Sequence, residues 1–96
     1  MRAAKVDATQ GEIVRGLRAV GAEVQSLADL GRGVPDVLVG YRKKWYVAEL
    51  KDGKKPKSKR RLTEAEKVWH ERFNRIAPVH IWTSLDEALR AIGAAK

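Results

Sequence analysis

The chain has no cysteine. That excludes disulfides and thiolate zinc sites, and it fits a reducing cytoplasm. Its only histidines, His70 and His80, are not placed to act together on a metal, which leaves oxygen as the ligating element. No apolar run approaches the ~20 residues of a membrane span, and none reads as the core of a signal peptide. The sequence has no internal repeat. Prolines number three and fall at element boundaries, at Pro35, Pro56 and Pro78. Acidic side chains are scarce relative to basic ones: Asp plus Glu is 12 against 20 for Lys plus Arg, a net charge of +8 on 96 residues. So basic a balance on one small domain, residues 1–96, favours a polyanionic partner, nucleic acid before an anionic membrane.

The most informative stretch runs from Gly33 to Lys51. Val37–Val39 and Trp45–Ala48 are apolar runs separated by Gly40-Tyr41-Arg42-Lys43-Lys44, a spacing that predicts a hairpin. A turn centred on Arg42-Lys43 pairs Val39 with Tyr46, Val37 with Ala48 and Asp36 with Glu49. Directly opposed residues have Cβ atoms about 4.5–5.5 Å apart, so both carboxylates reach one cation. Strand side chains alternate, which puts Lys51 on the same face as Glu49. Two acids this close raise each other's pKa unless a positive charge lies between them. Lys51 is one candidate for that charge. A divalent cation is another, and all-oxygen ligands suit Mg²⁺ or Mn²⁺. Without a cation the same residues would form a cross-strand salt-bridge cluster.

Around the hairpin, Met1–Val6 reads as a loose basic arm. A first helix begins near Asp7–Thr9, where Thr9-x-x-Glu12 matches a capping box, and Ile13, Val14, Leu17 and Val20 form its stripe. Gly21 stops it. Ala22–Leu27 is a first strand, and Ala28–Gly33 a loop carrying Arg32. From Lys54 to Arg61 six of eight residues are basic: Lys54, Lys55, Lys57, Lys59, Arg60 and Arg61. With Pro56 and Ser58 among them they read as an exposed loop leaving the strand just after Lys51, suited to a phosphate backbone. Thr63-x-x-Glu66 caps a second helix whose expected buried stripe is Ala65, Val68, Trp69, Phe73 and Ile76. Trp69 is read as core rather than as a base-stacking platform, and His70 as flank or packing rather than a ligand. Pro78–Trp82 is a last strand, and Ser84 caps a last helix burying Leu85, Ala88, Leu89 and Ile92. The expected fold is α/β, in the order α-β-β-β-α-β-α, with a mixed sheet of about four strands flanked by helices.

Val34-Pro35-Asp36 followed by Glu49-Leu50-Lys51 resembles the signature of the PD-(D/E)xK nucleases. Over roughly Gln10 to Gly93 the chain is similar to small, phage-type members of the virus-type replication-repair nuclease (VRR-NUC) family. The resemblance implies a restriction-endonuclease-like core and a Mg²⁺- or Mn²⁺-dependent endonuclease acting on DNA, with no small-molecule cofactor. Asp36, Glu49 and the backbone carbonyl of Leu50 would be metal ligands, and Lys51 would position or deprotonate the attacking water or stabilise the transition state. It aligns Gln10 with a site position on the first helix and leaves Glu12 a capping role. Glu66 stands where the family has Gln. A homodimer cutting branched or junction DNA is the expected working form. Arg32 and the six basic loop residues are DNA-contact candidates, with solvated charge as their other reading. The rival expectation is a decayed, basic DNA-binding accessory domain of the same fold. An interaction module for acidic proteins ranks behind it.

Overall fold

A computed structural model describes residues 8–95, so the Met1–Val6 arm and Asp7 lie outside the described residues. The elements are α1 (Ala8–Ala19), β1 (Glu23–Ser26), β2 (Val37–Tyr41), β3 (Lys44–Leu50), α2 (Glu64–Asn74), β4 (His80–Trp82) and α3 (Leu85–Ile92), with short 3₁₀ turns at Ala28–Leu30 and Lys57–Lys59. The strands form one sheet in the order β1-β2-β3-β4. β1, β2 and β3 are an antiparallel meander, and β4 joins β3 in parallel after the α2 crossover. This is the expected element order and a four-stranded mixed sheet.

The hairpin register follows its turn. Val37 pairs with Ala48, Val39 with Tyr46 and Tyr41 with Lys44. Arg42 and Lys43 both adopt positive φ, 49° and 70°, the two-residue turn whose twist matches that of the strands it joins. Alternation then sorts the side chains. Val37, Val39, Ala48, Leu50 and Trp82 meet Ile13 and Leu17 of α1 and Ala88 and Ile92 of α3 in the core. Gly16 lets α1 approach α3 closely, since a Cβ there would overlap the Leu85 side chain. Asp36, Glu49 and Ile81 project from the opposite face, where α2 lies.

Several helix details differ from the sequence reading. α1 starts at Ala8, so Thr9 is inside its first turn instead of capping it. Its hydroxyl donates to the Asp52 carboxylate, tying the helix to the loop beyond β3. Val20 is exposed because α1 ends at Ala19 and Gly21, with φ 97°, turns the chain away. The first strand is shorter than expected, and Leu27 leads into the 3₁₀ turn. α2 departs most: Ala65, Val68, Phe73 and Ile76 are exposed, Trp69 is only half-buried, and His70 is the buried residue. His70, Glu71 and Asn74 of α2 line a groove with Ile81 of β4, while Ala65, Val68 and Trp69 line another with Arg32 and Val34 of the loop before β2.

Candidate active site

The site forms where β2 begins and β3 ends. Pro35 is buried and lacks an N–H, which suits the start of β2. One residue on, Asp36 stands just before β2, close enough to Glu49 for its charge to raise the pKa of the Glu49 carboxyl. The Asp36 carbonyl takes the Leu27 N–H at 2.8 Å, and its Oδ2 accepts from the Leu50 N–H at 2.7 Å. The carboxylate is therefore fixed across the strand ends. Lys51 N–H donates to the Trp82 carbonyl on β4, and across a trans peptide the preceding carbonyl points the other way. The Leu50 carbonyl thus faces the Asp36 side.

Glu49 is 3% exposed. Burial, then the neighbouring Asp36 and Glu66 carboxylates, push its carboxyl up to about 8, against the pull of Lys51. Its Oε1 is buried and has no hydrogen-bond partner among the described residues. Lys51 Nζ lies 3.3 Å from Glu49 Oε2 and 3.1 Å from Glu66 Oε1. Both contacts have ion-pair geometry, but the environments differ. Burial opposes charge on Glu66, yet the Thr63 N–H and Lys51 outweigh it and hold Glu66 below the usual carboxylate range. Burial likewise disfavours charge on Lys51, and the hydrogen bond to Glu66 with the nearby carboxylates overcomes this and raises its pKa. Glu66 is thus the charged partner of Lys51, and Lys51 is an ammonium rather than a free amine.

Glu66 has two jobs. Its side chain accepts the Thr63 N–H at 2.8 Å, and the Thr63 hydroxyl accepts the Glu66 N–H, completing the capping box. The same Oε1 holds Lys51. The capping motif is legible in the sequence; the ion pair is not, because nothing local connects residues 51 and 66. Gly33 brings the two segments together. At φ 82° it rests on the first turn of α2, where a Cβ would overlap the Ala65 carbonyl.

The remaining candidates are distributed around this centre. Gln10 is half-buried on the α1 side of the sheet and lines a groove with Val14, Arg18, Ser26 and Val37. Lys54, Lys55, Lys57, Lys59 and Arg61 are exposed on a loop that leaves just after Lys51 and returns at the cap of α2. The loop's root is anchored by the Gly53 N–H on the Thr83 carbonyl. Arg60 is half-buried, its Nε without a partner among the described residues. Arg32 is exposed at φ 56° beside α2. His70 lies one turn beyond Glu66. It is buried, its Nε2 has no partner among the described residues, and burial lowers its pKa. A lone histidine beside exposed helix positions carries no sequence signal for that burial.

Among the described residues, no three carboxylate, imidazole or thiolate groups gather into a metal-holding cluster. What is present is a carboxylate pair, a carbonyl on the same side, and a buried unpartnered carboxylate oxygen. A hard cation would satisfy that oxygen, and Mg²⁺ commonly uses only one or two carboxylates, with water and phosphate completing its shell. The residues therefore fit a divalent ion. No protein-family model, curated protein or solved structure matches the chain.

Proposed function

We propose that the protein is a metal-dependent endonuclease of the PD-(D/E)xK type acting on DNA phosphodiesters. The observation that carries this reading is the juxtaposition of Asp36, the buried Glu49 with its unpartnered Oε1, and the Lys51 ammonium on one face, at the root of a strongly cationic loop. Asp36, Glu49 and the Leu50 carbonyl would hold Mg²⁺ or Mn²⁺. Once bound, the ion acts as a Lewis acid on the phosphate and lowers the pKa of a coordinated water. Lys51, kept charged by Glu66, donates to a phosphate oxygen and stabilises negative charge as it grows in the transition state. The basic loop positions the backbone by charge, without reading bases.

The deciding experiment is cleavage of a labelled panel (duplex, single strand, 5′ flap, four-way junction) with Mg²⁺, Mn²⁺ or EDTA, beside Lys51→Ala. Metal-dependent cutting that disappears in Lys51→Ala is the expected result. Binding without cutting in either metal would refute the nuclease reading and favour an accessory DNA-binding domain. The absence, among the described residues, of any three carboxylate, imidazole or thiolate groups grouped to hold a metal is the observation on that rival's side.

A further inference from the structure

One flank of α2 carries a groove of about 610 Å³, walled by Ala65, Val68, Trp69 and Arg72 of the helix and by Arg32 and Val34 of the loop before β2. Its apolar wall is open: Val68 is 57% exposed. Trp69 and Phe73 lie one helical turn apart and stack with ring centroids 3.9 Å apart at 16°. The Arg72 guanidinium sits 4.7 Å above the Phe73 ring. Arg32 stands at the other wall, held by the seat of Gly33 on Ala65. The groove's walls run into the site's segments along the chain: Arg32 is four residues before Asp36, Trp69 is one turn after Glu66, and Gly33 between Arg32 and Asp36 rests on Ala65.

We infer that this groove receives unpaired nucleobases of the DNA substrate. A strand would stack a base on the outer face of Trp69, whose other face Phe73 covers, and place its phosphates against Arg32 and Arg72. Exposed aromatics flanked by arginines are the side chains that hold single-stranded nucleic acid without sequence readout, because every base has a π-face. Charge selects this occupant over a second copy of the chain. A two-fold contact through the groove would bring Arg32 and Arg72 of both copies into one interface on a molecule already at +8. The inference rests on the nuclease reading and narrows its substrate to DNA with unpaired nucleotides beside the cleaved phosphate.

The test is binding in EDTA, where cleavage does not interfere, by anisotropy of labelled oligo(dT), gapped duplex and blunt duplex. Trp69→Ala should weaken binding to oligo(dT) and gapped duplex about 10-fold or more and leave blunt duplex nearly unchanged. Trp69→Phe should retain most of the affinity. Val68→Glu alters only an exposed wall and should weaken the same two substrates, so the inference stays testable if Trp69→Ala folds poorly by circular dichroism. In a Trp45→Phe background, with Trp82 buried, oligo(dT) should quench the Trp69 emission. Equal losses on all three DNAs, or no loss on any, would overturn the inference. So would a wild-type dimer in light scattering that Val68→Glu converts to monomer with single-strand binding intact. Trp69-dependent binding without cleavage in Mg²⁺ or Mn²⁺ would uphold the groove and refute the nuclease reading. Metal-dependent cutting with unchanged substrate preference in Trp69→Ala would do the reverse.

Discussion

Replacing Glu49 with glutamine should stabilise the metal-free protein at neutral and alkaline pH. The carboxyl has an ordinary value of 4.5 and rises to about 8 in the fold. An acid whose folded pKa is raised binds its proton more tightly in the native state. Stability from that proton is fully present below 4.5 and is lost as pH climbs through about 8. The linkage slope is about 1.4 kcal/mol per pH unit while the unfolded carboxyl is ionised and the folded one is not. At pH 7 the accumulated cost is about 3 kcal/mol, a large share of the 5–15 kcal/mol that typically holds a domain together. Glu49→Gln removes this term and keeps the shape. Asp36 and His70 are common to both proteins, and Lys51 and Glu66, whose own pKa values respond to Glu49, shift with it, so the comparison reads the cluster as a unit. Denaturation in EDTA from pH 5 to 8 should therefore show the wild type losing ground steadily to the variant. For a chain this size the gap in Tm should reach roughly 10–20 °C. Saturating Mn²⁺ should restore the wild type and leave the variant unmoved. Parallel pH curves for the two proteins would refute the assignment of Glu49 as a buried carboxyl whose pKa the fold raises.

Asp36→Asn should weaken Mn²⁺ binding measured by calorimetry at least 10-fold, while unchanged binding would move the metal elsewhere. Changing Lys54, Lys55 and Lys57 together to alanine should make the slope of log K against log salt shallower by about 0.9 for each phosphate that these lysines neutralise; an unaltered slope would remove the loop from the interface. Gly33→Ala adds a Cβ at positive φ against the Ala65 carbonyl and should destabilise the fold by about 1–3 kcal/mol, read as a lower urea midpoint. Thr63→Ala should cost about 1 kcal/mol through removal of the cap and loosen Glu66 on Lys51, so an unchanged midpoint would count against the double role of Glu66.

Where pattern and chemistry are local, the sequence alone determined the outcome. The turn at Arg42-Lys43, bracketed by alternating strands, set a register that could not slip by one residue without turning Val37, Val39 and Ala48 out of the core. That register runs to Val37 and Ala48, and the next residues along, Asp36 and Glu49, are close enough that the charge of Asp36 helps push the Glu49 carboxyl up. Caps at Thr63 and Ser84 and the closing glycine at 93 marked helix ends because orphan backbone groups must find partners within a turn or two. Tertiary packing decided what lies between distant segments. The Lys51–Glu66 contact needs Gly33 to seat one segment on the other, and the desolvation of Glu49 depends on α2 lying over its face. The stripe of α2 departs from its expected burial for the same reason. Apolar spacing shows which residues would profit from burial, but not whether a surface is there to bury them. α1 and α3 occupy one face of a narrow sheet, and α2 meets the rest of the fold through His70, Glu71 and Asn74 beside Ile81 and through Ala65 on Gly33. His70 is therefore turned inward, while Trp69 and Phe73 stack on each other, partly in water.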